Sequence, residues 1–439
     1  MLGRKRPSLA IVCALLLSSA LNAEVKVLKN FTLIDGTGRS PVTESAMIVN
    51  DGRITWIGRT AVLQAPAGAE IVDLTGKFVM PGIINLHGHI GNTVDLTQDG
   101  KFYTRKSIEE NLHTYATYGV TAVQSMGTDQ DLIYQVRSEQ RAGRPSVARV
   151  YTAGQGFVFK DGYGGLAGVT PSYSLVEEIE PVVARLAGKK VDLVKLWLDD
   201  ELGALPKMPP EMTRAIIDSA RKHGLRTATH VFYLEDARRV VEQGAAGLAH
   251  IVRDKPVDQA LIDSMKKKGV WQMAATLSRE ASMFAYGQTP PFINDPFFTR
   301  SVSQTTLQLL SNPERQKTNA AVPHFKEFPG FLETAKKNLK KLADAGVKYG
   351  FGTDTGPPGR FPGYAEHWEL ELMVDAGLTP MQVLTAATRS GAEFLGAKDL
   401  GTLEVSKWAD LIVLNANPLT NIKNSRSIHA VYIAGNPVK

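Results

Sequence analysis

Between Phe78 and Gly396 the chain alternates short apolar, strand-like runs with stretches of helical periodicity, which restricts this part to βα units around a parallel sheet. The runs end at Asn85, Ser125, Ala153, Leu196, His230, His250, Ala275 and Gly352. Eight such units predict a closed (β/α)8 barrel, with its chemistry at the C-terminal ends of the strands. An open doubly wound sheet is the competitor, but no glycine-rich phosphate loop follows the first run. The gap between the seventh and eighth runs, around residues 278–330, is rich in Pro, Phe, Thr and Asn and reads as a lid-like insertion.

The two ends are written differently. Val25-Lys-Val-Leu, Phe31-Thr-Leu-Ile, Ala46-Met-Ile-Val and Ile54-Thr-Trp-Ile alternate with the turn signals Asp35-Gly, Asn50-Asp-Gly and Gly58. Ala409-Asp-Leu-Ile-Val-Leu and Ala430-Val-Tyr-Ile-Ala repeat that style at the far end. These β-rich ends predict one small, discontinuous antiparallel β-sandwich domain, residues 24–79 and 397–439, around a barrel of residues 80–396.

Residues 1–23 read as a signal peptide: Arg4, Lys5 and Arg6, the apolar run Leu9 to Leu17, then small residues leading to cleavage after Ala23, or after Ala20. The run is too short for a stable bilayer anchor. Export to the periplasm or medium follows, with no membrane association of the mature chain. Cleavage takes three basic and no acidic residues from a formal net charge of +6, leaving +3. No basic block with interleaved aromatics argues for nucleic acid. The only cysteine, Cys13, lies inside the leader, so the mature chain has neither disulfides nor thiolate ligands. A homo-oligomer is compatible with the sequence, which sets no stoichiometry.

Against this frame the chemistry-bearing residues fall at predicted strand ends. His87 and His89 are two apart on an extended strand, so both side chains face one side, and Gly88 between them lets the backbone approach what they hold. His230 ends the fifth strand, His250 the sixth and Asp354 the eighth; Lys195 lies in the apolar fourth strand. A buried hydrogen-bonded histidine, a capping aspartate or a snorkelling lysine would explain any one of them. Their joint placement on one mouth argues for a metal centre.

These residues carry a resemblance. Met80-Pro-Gly-Ile-Ile-Asn-Leu-His-Gly-His is similar to the entry motif of the amidohydrolase superfamily, Phe351-Gly-Thr-Asp-Thr-Gly to its last-strand motif, and Ala409-Asp-Leu-Ile-Val-Leu to its closing β-domain strand. The resemblance covers nearly the whole mature length and implies a distorted barrel holding two divalent metals, usually zinc. Carried over by position, His87, His89 and Asp354 would hold the more buried ion, and His230 and His250 the other. Lys195 resembles the lysine that takes up CO2 to become an N6-carboxylated bridge. Only a neutral amine can take up CO2, and burial beside cations lowers a lysine pKa in that direction. The implied chemistry is hydrolysis by metal-activated water, with Asp354 taking the proton and passing it to the leaving nitrogen.

The Val-Asp-Leu-Val-Lys context of Lys195 is similar to dipeptidases, prolidase-like enzymes and N-acyl amino acid hydrolases, which points to small substrates with amide bonds. Cyclic amides, lactones and amino-purines would suit the same site, and a retained barrel could also serve binding alone. Two departures bear on the substrate. Val-Phe-Tyr follows His230 and Ile-Val-Arg follows His250, so the usual substrate-carbonyl donor is either absent or moved to Tyr233. Arg253, Arg279 and Arg360 follow strands six, seven and eight and are candidates for binding a substrate carboxylate bidentately.

Overall fold

The computed structural model describes residues 25–439; the predicted signal peptide and Cys13 lie outside the described residues. The two β-rich ends meet in one eight-stranded sheet. The C-terminal strand Leu411–Leu414 runs antiparallel to Phe78–Pro81, whose other edge pairs with Val25–Leu33. Val42–Asn50 and Arg53–Arg59 form a hairpin, and Asp51 and Gly52 both have positive φ, the backbone of a tight primed turn. The expected antiparallel sheet is in fact mixed. Val25–Leu33 runs parallel to Glu70–Asp73 over its first half and to Phe78–Pro81 over its second, branching at the positive-φ residue Asn30, so the two predicted runs on either side are one irregular strand. Leu28, Phe31, Met47, Ile54, Val79, Leu411 and Val413 form the buried core on this sheet.

Pro81 and Ile83 are two residues apart, so the end sheet leads directly into the first parallel strand, Ile83–Gly88. Val120–Ser125 and Arg149–Thr152 pair beside it, and Val194–Trp197, Thr227–His230, Gly247–Leu248 and Trp271–Gln272 form a second parallel set. The sets are joined at Phe157, whose N–H donates to Lys195 O and whose carbonyl accepts from Trp197 N. They meet again through the eighth segment: Gly350 N donates to Gln272 O, and Asp354 N to His87 O. Hydrogen bonding therefore returns to its first strand, a TIM-barrel-like α/β arrangement.

The eighth segment carries isolated bridges rather than a continuous strand. A Cβ at Gly352 would lie 2.9 Å from His87 N and 2.7 Å from the Ala274 methyl carbon, so only the lack of a side chain there lets the segment lie this close to the first strand. The other strand ends fall within three residues of those predicted.

Helices pack outside through periodic apolar faces. Pro210–Lys222 starts with Pro at its first turn and Glu211 beside it, ends on Arg221 and Lys222, and buries Met212, Ile216, Ile217 and Ala220. The insertion at 278–330 is folded into short helices, Pro296–Thr299, Gln304–Leu310 and Pro313–Ala320, after Leu277–Ala285. Its Phe292, Phe298 and Leu310 pack with Leu96, Tyr118 and Tyr364 in a separate apolar cluster. Among the described residues no helix is long and apolar enough to cross a membrane.

Candidate metal centre

Strand alternation places His87 and His89 on one side of the first strand, and Asp354 reaches them from the eighth segment with its backbone in the left-handed region, φ +59°. Asp354 Oδ1 is 3.3 Å from His87 Nε2 and 2.9 Å from His89 Nε2. The three ligand atoms lie within 4.8 Å of one another. Donors about 2.1 Å from one tetrahedral ion stand about 3.4 Å apart, so this trio has the spacing a divalent cation needs.

Hydrogen bonds at the far side of each ring select the free nitrogen. His87 Nδ1 is 2.9 Å from Ala249 O; a carbonyl can only accept, so Nδ1 carries the proton and Nε2 keeps its lone pair. His250 Nδ1 is 2.9 Å from Thr276 Oγ1, whose own proton goes to Ala275 O, again leaving Nε2 free. His230 is reversed: Nε2 lies 2.8 Å from Asp199 Oδ2, which leaves Nδ1. The rings form a run, His230 to His250 at 4.1 Å, His250 to His87 at 4.6 Å and His87 to His89 at 5.6 Å between centroids. Burial, the largest cause, lowers His230 to about 4 and holds His87 and His250 well below the usual histidine value, so all three are neutral, as ligation requires.

Lys195 is fully buried and its Nζ has no hydrogen-bond partner, as is also true of His87 Nε2. Burial, with a smaller push from Arg279, lowers the Lys195 amine to about 7, while Asp354 opposes the shift. An orphaned amine close to the neutral imidazoles of His87, His230 and His250 is costly unless something occupies the space. The donor set of two or more imidazole nitrogens, a carboxylate and a convertible amine fits divalent metal.

The three arginines have different duties. Arg360 Nη1 donates to Asp354 Oδ2 at 2.5 Å, and Arg279 Nε stands 3.3 Å from the same oxygen. Burial would raise the Asp354 carboxyl, but the Arg360 guanidinium and the hydrogen bond with His89 hold it well below the usual carboxylate range. Arg253 faces elsewhere: its Nη1 donates to Val231 O and Ile251 O, and its Nε lies 3.0 Å from the buried Glu280. It braces the loops after strands five and six. Tyr233 is also committed, its hydroxyl donating to Asp200 Oδ1 at 2.6 Å under the Lys207 ammonium.

Several participants escaped the sequence reading. Asp199 lies two residues past the fourth strand and was hidden in an Asp-Asp pair. Tyr163, on the loop after strand three, packs its ring 4.9 Å from that of His230 and bonds Arg279 Nη2 through its hydroxyl at 3.2 Å. Glu366 accepts from Asn85 Nδ2 at 2.7 Å and from Thr353 and Thr355, tying the first strand to the eighth beneath Asp354. Glu369 accepts from the N–H groups of Leu277 and Ser278 and so fixes the helix bearing Arg279 and Glu280; burial pushes its carboxyl up to about 7. The asparagine and threonines flanking the motifs were the one visible signal of the Glu366 network. His367 is structural, held by Ser425 Oγ and Tyr118 O.

Comparison with known proteins agrees with this architecture. Residues 78–438 match the model of the amidohydrolase family. An imidazolonepropionase of Streptomyces avermitilis is 24% identical over 429 residues, covering 91% of this chain and 86% of the relative. A putative prolidase from Bifidobacterium longum superposes with a TM-score of 0.74 at 26% identity, covering 94% of each chain. A Xaa-Pro dipeptidase with bound methionine in its active site superposes with a TM-score of 0.73 at 19% identity, over 94% of this chain and 99% of that one. The chain belongs to the amidohydrolase family, and it is a hydrolase acting on carbon–nitrogen bonds.

Proposed function

We propose that this protein is an exported amidohydrolase that cleaves the amide bond of dipeptides, Xaa-Pro dipeptides included, or of N-acyl amino acids. The observation that carries this reading is the pair of guanidinium groups, Arg279 and Arg360, turned onto Asp354 at the edge of the histidine cluster. Cations at that position suit a substrate whose carboxylate lies close to the bond being cut. The prolidase and dipeptidase superpositions support the fold side of the reading.

His87, His89 and Asp354 would hold one ion and His230 and His250 a second, with Lys195, N6-carboxylated, between them; zinc suits these ligands. Bound there, divalent ions supply a Lewis acid and lower the pKa of water. Asp354 takes a proton from the attacking water and delivers it to the leaving nitrogen, because its carboxylate is held ionised at the cluster. Tyr163, whose hydroxyl already meets Arg279 above His230, is placed to donate to the substrate carbonyl, the task assigned from sequence to Tyr233. In this reading the strands make a distorted (β/α)8 barrel of residues 80–396, the ends make a small β-sandwich domain, and the 278–330 insertion lies over the mouth.

Cyclic-amide hydrolysis is the second reading, favoured by the imidazolonepropionase relative at 24% identity. Metal-loaded protein assayed against dipeptides, N-acyl amino acids, cyclic imides, lactones and amino-purines tests both. Turnover confined to cyclic imides would replace the first reading with the second.

A further inference from the structure

Beside the metal cluster, lined in part by the Arg360 that bonds Asp354, lies a cleft of about 210 Å³. It is walled by Leu96, Met283, Tyr286, Leu310, Val322 and Pro358, with Arg360 among its lining and Arg315 and Asn319 adding polar groups. The walls come from three segments of the same mouth: Leu96 follows the first strand; Met283, Tyr286, Leu310 and Val322 lie in the 278–330 insertion, the first two on its leading Leu277–Ala285 helix and the residue that caps it; and Pro358 lies in the turn after Asp354.

The walls are built rather than incidental. The Tyr286 hydroxyl donates to Gly359 O at 2.5 Å and its carbonyl accepts from Asn319 Nδ2 at 3.0 Å, which ties the insertion to the turn after Asp354. Leu96 and Leu310 are anchored in the aromatic cluster of Phe292, Phe298 and Tyr364. Pockets that enclose a whole drug-sized ligand measure about 300–1,000 Å³. This one is smaller, the size for one side chain.

We infer that this cleft is the specificity subsite for one bulky apolar side chain, aromatic or branched aliphatic, of an amino-acid-like substrate whose carboxylate end meets Arg360. The inference rests on reading the mouth as a hydrolase of small amides, and it adds which residues select among them. Burying a phenyl or isobutyl group against these walls rather than in water favours such substrates over a glycine analogue by about ten-fold or more.

The test titrates metal-loaded full-length protein with L-phenylalanine and with glycine by calorimetry, using competition where the weaker ligand requires it. Both carry the same amine and carboxylate, so their affinity ratio isolates the side chain. The expected ratio is at least ten in the wild type and below three in Met283→Trp, which fills the cleft. Val322→Trp, altering an exposed wall residue, gives the same loss and covers the case in which Met283→Trp fails to fold. A wild-type ratio near one, or a ratio of ten surviving in Val322→Trp, overturns the inference. A ratio that behaves as expected in a protein without turnover on the amide panel would instead sink the functional reading and leave the subsite standing.

Discussion

His230 Nε2 and Asp199 Oδ2 lie 2.8 Å apart, and that bond decides which nitrogen of His230 remains to bind an ion. Burial would raise the Asp199 carboxyl, but the hydrogen bond from His230, with the Arg253 guanidinium adding to it, holds it well below the usual carboxylate range, so it stays an acceptor. With Nε2 donating, Nδ1 is the lone-pair nitrogen. Asp199→Ala removes the device that fixes the tautomer. The expected outcome is ten- to a hundred-fold weaker metal retention, read by chelator competition. Retention equal to wild type would show that His230 is oriented by its packing alone.

Lys195 separates one-metal from two-metal chemistry. Its partnerless, buried amine near neutrality is the state that reacts with CO2. Metal analysis is expected to give about two ions per chain with bicarbonate and about one in Lys195→Ala. About one ion per chain in both proteins, unmoved by bicarbonate, would leave Lys195 as a neutral neighbour of a single-metal site.

Asp354→Asn keeps the shape and one oxygen ligand while removing the proton acceptor. Turnover is expected to drop by about a hundred-fold or more with much of the metal retained. Full turnover in metal-loaded Asp354→Asn would take the proton-carrying role away from this residue.

The arginines can be told apart by what fails. Arg253 and Glu280 are both buried, with Nε 3.0 Å from Oε1, and removing the guanidinium leaves that carboxylate to Arg279 alone and takes the Nη1 donor from the Val231 and Ile251 carbonyls. Arg253→Met is expected to cost about 3 kcal/mol of stability, seen in denaturant unfolding. Arg279→Met and Arg360→Met are expected instead to raise KM for carboxylate-bearing substrates and to spare those without a carboxylate. An equal rise for both kinds of substrate would assign the pair to holding Asp354 alone.

How much of this was legible in the sequence follows from the range of each interaction. His87, His89, His230, His250 and Asp354 were readable because strand period and strand ends are local properties, and the structure brings them to one mouth. Asp199 and Tyr163 were not, since their roles depend on loops whose paths no period reports. The end sheet was legible as strands and turns but not as a mixed sheet, because parallel pairing joins residues some forty positions apart, as with Val27 and Ile71. Arg253, Arg279 and Arg360 looked equivalent because all follow strands; their different fates are set by Glu280 and Asp354, which only the packed structure places among them.

His367 supplies a pH dependence that owes nothing to the metal residues. Its ring is fully buried, Nδ1 near Ser425 Oγ at 2.8 Å and Nε2 near Tyr118 O at 2.9 Å, and it links the helix Tyr364–Asp375 to the 3-10 turn Ile422–Arg426. Burial, the largest cause, lowers it from 6.5 to about 3, with Arg426 and Arg300 adding to the shift and the Tyr118 carbonyl opposing it. Between those values the unfolded chain binds a proton that the folded chain refuses. The stability this histidine contributes is therefore whole above about pH 6.5 and is lost as pH falls toward 3, at about 1.4 kcal/mol per pH unit at most. Thermal unfolding of wild type and His367→Gln between pH 7.5 and 4 is expected to give the shallower acid slope in the variant, whose amide cannot titrate. Parallel curves would mean that the ring takes up its proton without loss of packing.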